Sequence, residues 1–168
     1  MLVRTADGTR VVIRRIRPGD KLMLARGLGL LSDETRHRRF LGAKPRLSRA
    51  ELRYLTEVDG ESHLALVAVL ADRLDHVVAV ARYVRLASEP ATADAAIVVG
   101  DPWQRQRLGT RLAIMLADAA REQGIQRFSA TMLSDNPAAL ALMRTLTRRL
   151  QHGAHADGVR EVVADLAA

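Results

Sequence analysis

Apolar positions in this chain change period several times, and each change marks an element. Val3 to Ile13 holds two β-prone runs with Asp7-Gly8 between them, a strong short-range signal for a hairpin. Pro18-Gly19-Asp20 ends the second run and offers Asp20 as an N-cap. Leu24, Leu28 and Leu31 then recur at helical spacing, with Leu22 and Met23 near the start, while Gly27 and Gly29 weaken the helix. A second helical piece is predicted from Ser32-Asp33-Glu34 through Phe40, ended by Gly42 and Pro45. A third follows the capping-box pattern Ser48-Arg49-Ala50-Glu51, with Leu52, Leu55 and Val58 along one face.

The middle of the chain changes to strands. Leu64 to Leu70 and Val77 to Leu86 are β-branched and apolar, and Asp94 to Val99 reads as the next strand. Leu108, Leu112, Met115, Leu116 and Ala119 stripe a helix that Gly124 closes. Gln126 to Leu133 is a further strand, Asn136-Pro137 opens a helix to about Arg148, and Val159 to Leu166 is a last strand. Strands first, then strand, helix, strand, helix and strand, give a mixed α/β sheet with helices packed on it. No repeat or linker interrupts this order, and 168 residues fit a single domain spanning 1–168.

Composition narrows the chemistry. There is no cysteine, which excludes thiol nucleophiles, disulfides and cysteine-ligated zinc. His152 and His155 are spaced for a metal but have no third ligand beside them, so no metal is expected. No apolar run reaches the roughly 20 residues of a spanning helix, and no signal-peptide pattern opens the chain, so a cytoplasmic protein without membrane association is expected. The net charge is +7, and since Lys21 and Lys44 are the only lysines it is carried by arginine. Such a balance suits a polyanionic ligand, and it also follows from arginine-rich composition alone. Aromatic residues are 3% of the chain, which leaves few stacking platforms for bases and argues against nucleic acid as a partner.

The segment from Val98 to Leu112 is the most informative. An apolar strand breaks at Gly100-Asp101-Pro102 and a helix begins a few residues later. A helix start leaves backbone N–H groups without partners, and with the positive end of the helix dipole they form a seat for phosphate. The sequence is neither the P-loop pattern nor the dinucleotide glycine fingerprint. It resembles the pyrophosphate-binding motif Gln/Arg-x-x-Gly-x-Gly/Ala of the GNAT superfamily of N-acetyltransferases. Gln104 fills its first position and Gly109 its last, across Gln104, Arg105, Gln106, Arg107, Leu108, Gly109 and Thr110. Arg107 stands where the first glycine is expected. The donors are main-chain groups, so arginine keeps them if its φ and ψ are compatible, and its guanidinium can add a phosphate contact.

The resemblance covers nearly the whole chain. It implies a mixed, mostly antiparallel central sheet flanked by helices, with acetyl-CoA as cosubstrate. The domains it most resembles are bacterial protein lysine acetyltransferases. Leu31-Ser32-Asp33-Glu34 with Arg38-Arg39-Phe40, His63 to Ala68, and Val80-Ala81-Arg82-Tyr83 are all similar to that branch. In those domains a glutamate is the general base, and Asp94-Ala95-Ala96-Ile97-Val98-Val99 aligns with their Glu-x-Ala-x-x-Val. Aspartate is shorter by about 1.5 Å, which favours relay through water; a strand-end carboxylate facing solvent is the other reading of Asp94. The resemblance also implies that main chain at Val98 and Val99 pairs with the pantetheine arm, and that a backbone N–H near Val99 polarises the thioester carbonyl.

Asn136 begins an Asn-x-x-Ala pattern completed by Ala139, which by resemblance contacts the same arm; capping of the helix before Pro137 explains it equally. Met143 takes the place of a tyrosine that protonates the leaving thiolate in many relatives. Tyr54 and Tyr83 are candidates for the acceptor side, or simply packing residues. The acceptor is read as a primary amine, on a protein lysine first and a small molecule second, with a homodimer left open. Two other classes stay in view: a non-catalytic acyl-CoA-binding regulatory module, and a nucleic-acid binder suggested by charge alone.

Overall fold

The computed structural model describes residues 1–166 and holds one eight-stranded sheet with five α-helices. In chain order the elements are β1 (Leu2–Arg4), β2 (Arg10–Arg15), α1 (Lys21–Gly29), α2 (Asp33–Phe40), α3 (Arg49–Thr56), β3 (His63–Leu70), β4 (Arg73–Leu86) and β5 (Glu89–Val99). Then come α4 (Leu108–Glu122), β6 (Arg127–Leu133), α5 (Pro137–Leu146), β7 (Leu150–Ala156) and β8 (Val159–Asp165). The sheet order is β1-β2-β3-β4-β5-β6-β8-β7, antiparallel throughout except for β5 beside β6. The mixed, mostly antiparallel sheet expected from the sequence is therefore present. Among the described residues no helix is long and apolar enough to cross a membrane.

Side-chain alternation explains the two layers. In β3, Leu64, Leu66, Ala68 and Leu70 point into the larger core under α4, while Ala65, Val67 and Val69 point into a smaller one with Met23 and Leu24 of α1. Both faces are covered, so the strand reads as an unbroken apolar run. Gly27 lets α1 lie close on the sheet: a Cβ there would stand 2.4 Å from Val77 Cγ1. The glycine that lowers helix propensity thus serves the packing of the helix.

Several expected boundaries shift. β4 and β5 are longer than predicted because they pair as a hairpin that extends past the apolar segments, through Glu89-Pro90. Asp94 therefore lies in mid-strand, where the apolar pattern had put a strand start. Asp20 does not cap α1 with its side chain. Its carboxylate is held instead by Arg14 in two hydrogen bonds of 2.7 and 2.8 Å and by the Arg17 N–H at 2.8 Å. α5 stops at Leu146, short of Arg148. β7, which was not expected, pairs with β8 across an Asp157-Gly158 turn whose φ values are 53° and 74°. Its sequence Leu-Gln-His-Gly-Ala-His-Ala has no β-branched residue, and pairing with β8 alone makes it a strand.

Candidate active site

β5 and β6 pair over three residues only, Thr92 to Asp94 with Arg127 to Ser129. Beyond Asp94 no rung joins them, and a cavity of about 420 Å³ occupies the split. Its walls are Ala95–Val99 of β5, Ala130–Met132 of β6, and residues of α4 and α5. From Ala95 to Val99, β5 is paired to β4 and to no strand on the other side. Its main chain offers an open edge there, the requirement for β-type pairing with an extended ligand.

The mouth of the split is the turn before α4. Arg107 caps that helix in the left-handed conformation, φ 63° and ψ 4°, and Arg105 also has φ 59°. Arginine here holds the backbone as a glycine would, at a cost of about 1–2 kcal/mol. The Arg107 side chain is exposed, and the cavity it borders stays open. Val98, Val99, Gln104, Arg105, Arg107, Gly109, Thr110 and Asn136 all line this cavity. Two residues of the turn do not. Leu108 is buried in the larger core, and Gln106 exchanges hydrogen bonds with Asp7 of the β1–β2 turn at 2.9 and 3.1 Å. These two leave only main chain for a ligand. Gly109 faces Leu142 and Val99 with room for ordinary contact. Asn136 is buried, and its side-chain oxygen accepts from Ala139 N–H at 3.1 Å, so it does cap α5 while bordering the cavity.

A clamp that sequence reasoning missed holds the turn in place. Asp101 accepts from Ser32 N–H at 2.9 Å, Ser32 Oγ at 2.7 Å and Thr35 Oγ1 at 2.8 Å. Gln104 Nε2 donates to Thr35 Oγ1 and to Val99 O, each at 3.1 Å. The N-terminus of α2 is thereby tied to both ends of the turn. Burial works to raise the Asp101 carboxyl, but the donors from Ser32 and Thr35 outweigh it and hold it below the ordinary value.

Asp94 lies on the sheet face opposite Ala93, whose side chain enters the larger core. Its carboxylate is open on one side, yet burial among its neighbours raises its pKa; the Arg39 charge opposes that rise and Glu161 adds to it. Glu161 itself accepts from Ser129 Oγ at 2.7 Å. On this face α1, α2, α3 and β4 enclose a second cavity of about 320 Å³. Arg39, Val98 and Trp103 line both cavities, so the two meet at β5. Tyr83 is not on this side: it is fully buried in the larger core, where its hydroxyl donates to Glu61 O at 3.0 Å and its ring packs on Phe128. Tyr54 stays exposed on α3 against the His63 ring. Met143 is buried with the core and borders the first cavity.

A mixed, mostly antiparallel sheet flanked by helices is the fold shared with the GNAT acetyltransferases. The chain belongs to that family: the model of the acetyltransferase (GNAT) family matches residues 31–146. Among individual proteins it is similar to the acetyltransferase Pat of Mycolicibacterium smegmatis, 35% identical over 144 residues, which cover 86% of this chain and 43% of Pat. The chain thus spans less than half the length of that relative. It is also 32% identical over 141 residues to the acetyltransferase PA5475 of Pseudomonas aeruginosa, covering 83% of this chain and 73% of that protein. In three dimensions it matches the crystal structure of the GNAT domain of S. lividans PAT with a TM-score of 0.87 and 28% identity, over 99% of this chain and 96% of that one.

Proposed function

We propose that the chain is an acetyl-CoA-dependent N-acetyltransferase that passes the acetyl group directly to a primary amine, with a protein lysine as the first candidate. The observation that carries this reading is the ladder between β5 and β6 ending at Asp94, next to a cavity whose mouth is the N-terminus of α4. Two cavities that meet at Val98 suit a ternary complex, with the two substrates entering from opposite faces.

The residues divide the work by their chemistry. Main-chain N–H groups of the Gln104–Gly109 turn and the α4 dipole hold the diphosphate, and the exposed guanidiniums of Arg105 and Arg107 add positive charge. The open edge from Ala95 to Val99 pairs with the pantetheine amides, and an N–H near Val99 stabilises the oxyanion as the amine attacks. A lysine-type amine has a pKa of about 10.4, so losing its proton near pH 7 costs roughly 4–5 kcal/mol. Asp94 accepts that proton, directly or through one water, and its raised pKa makes it a better base than an ordinary aspartate. As the N–C bond forms the C–S bond breaks. Met143 donates no proton, so the thiolate leaves without one from that position.

Calorimetry with acetyl-CoA and mass spectrometry of acceptor lysines test the reading together. Saturable binding is expected, with acetylation that Asp94→Asn suppresses. Absence of binding refutes it.

A further inference from the structure

The second cavity holds two arginines that form no ion pair among the described residues. Its wall is mostly aliphatic, with Leu24 and Leu28 of α1, Leu55 of α3 and Val80 of β4. Into this apolar space come two arginines, Arg39 from α2 and Arg82 from β4. Arg82 is 6% exposed, and its partners are neutral: Leu55 O at 3.3 Å and His63 Nε2 at 3.1 Å. Burial and the Arg82 charge keep the His63 ring low in pKa, so it accepts from the guanidinium. Arg39 sits against the Phe40 ring, 4.9 Å from its centroid. None of the ion pairs among the described residues includes Arg39 or Arg82. A third polar group, His76 Nε2, is buried without a hydrogen-bond partner, and His76 lines the same cavity.

Each guanidinium has five N–H donors in a planar fork that fits a carboxylate in two parallel bonds. Two cations brought together in an apolar cavity repel one another; the Asp94 charge acts on Arg39 without an ion pair to it, and no carboxylate of the described residues pairs with Arg82, an arrangement that a bound anion relieves. Burial, with the neighbouring Arg39, brings Arg82 down to about 10. The volume of about 320 Å³ is at the small-ligand end of binding sites. Building on the acetyl-transfer reading above, we propose that this cavity receives the acceptor, and that the acceptor carries a carboxylate near its amine, held by Arg39 and Arg82. Its aliphatic part lies on the leucine wall, and its amine reaches toward Val98 and the Asp94 side. The carboxylate belongs either to a free apolar amino acid or to an acidic residue flanking a lysine.

Trp103 is the only tryptophan and borders the cavity, so its fluorescence reports occupancy without turnover. The chain, saturated with coenzyme A, is titrated with L-leucine against L-leucinamide, and with the capped peptide Glu-Lys-Glu against Gln-Lys-Gln. The carboxylate member of at least one pair is expected to bind ten-fold tighter or better, and the responding pair names the source. Arg82→Gln and Arg39→Gln should each bring the members within two-fold, with Arg82→Lys retaining part of the preference. Since Arg82 does not border the first cavity, acetyl-CoA affinity of Arg82→Gln serves as the folding control. Equal affinity within both pairs on the unmutated chain overturns the proposal, and needs no variant. Carboxylate-dependent binding with transfer to the bound amine upholds the proposal. Carboxylate-dependent binding without transfer leaves an anion site and overturns its acceptor role, and transfer indifferent to the carboxylate overturns the proposal while upholding the transferase reading.

Discussion

Replacing Arg107 with glycine should move stability and cosubstrate affinity in opposite directions. The native backbone at this position is left-handed, φ 63° and ψ 4°. A residue with a Cβ gives up about 1–2 kcal/mol there. Glycine removes that strain but returns about 0.4–1 kcal/mol as extra freedom of the unfolded chain. The net gain is about 0.5 kcal/mol, which for a domain of this size raises Tm by roughly 1–2 °C. The α4 N–H groups stay in place, so only the guanidinium at the cavity mouth is lost. A charge-assisted contact is worth about 1.5–3 kcal/mol, and exposure puts this one at the low end, so Kd for acetyl-CoA should weaken roughly ten-fold. Arg107→Ala separates the two effects, since it keeps the strain and loses the charge: its affinity should fall alike while its Tm shows no gain. Thermal melts and calorimetry at fixed salt measure both quantities. Tighter binding by Arg107→Gly would mean that the arginine obstructs the site, and a fall in Tm of several degrees would mean that the strain argument is wrong.

Other perturbations probe separate parts of the account. Asp94→Asn should lower kcat by about 10²-fold or more with little change in acetyl-CoA affinity, measured by thiol release. Burial holds the Asp94 pKa above its unfolded value, so its ionisation opposes folding near neutral pH; the same variant should melt higher, a trade of stability against activity. For the same reason the acid limb of the kcat/KM profile should lie above that of an ordinary aspartate, with activity lost as pH falls through it. Asp101→Ala frees Ser32 and Thr35, and should cost about 1–2 kcal/mol in urea unfolding and weaken acetyl-CoA several-fold. Arg14→Ala leaves the nearly buried Asp20 without its bidentate partner and should cost about 2–3 kcal/mol. Burial raises the Asp20 carboxyl, but the bonds from Arg14 and the Arg17 N–H outweigh it and leave the pKa depressed. The stability that Asp20 supplies is therefore complete above its unfolded pKa of about 3.9 and is lost as pH falls through the lower folded value. In Arg14→Ala that acid-side loss should shrink.

The sequence pattern disclosed what local chemistry determines. The Asp7-Gly8 hairpin, the Ser48–Glu51 capping box and the Asn136-Pro137 helix start all rest on residues within four positions of one another. The strand, turn and helix around Gln104 were legible for the same reason. β7 escaped notice because its Gln, His, Gly and Ala residues carry no strand signature, although Asp157-Gly158 has the same turn chemistry as Asp7-Gly8. The clamp from Asp101 to Ser32 and Thr35 joins residues 66 to 69 positions apart, a pairing that no spacing rule detects. Arg39 and Arg82 stand in two of the segments similar to the lysine acetyltransferases, with no role of their own legible there. Their meeting at one apolar cavity, a property of the assembled sheet and helices, is what distinguishes them. Tyr83 had two readings, an acceptor contact and a packing residue, and strand alternation makes it the second, turned into the core.

Amide hydrogen exchange with and without acetyl-CoA examines the split sheet most directly. Amides from Ala95 to Val99 and across the Gln104–Gly109 turn should slow on addition of the cosubstrate, while β1 to β3 stay unchanged. Uniform rates across β5 and the turn at saturating acetyl-CoA, or slowing confined to elements remote from them, would contradict the account.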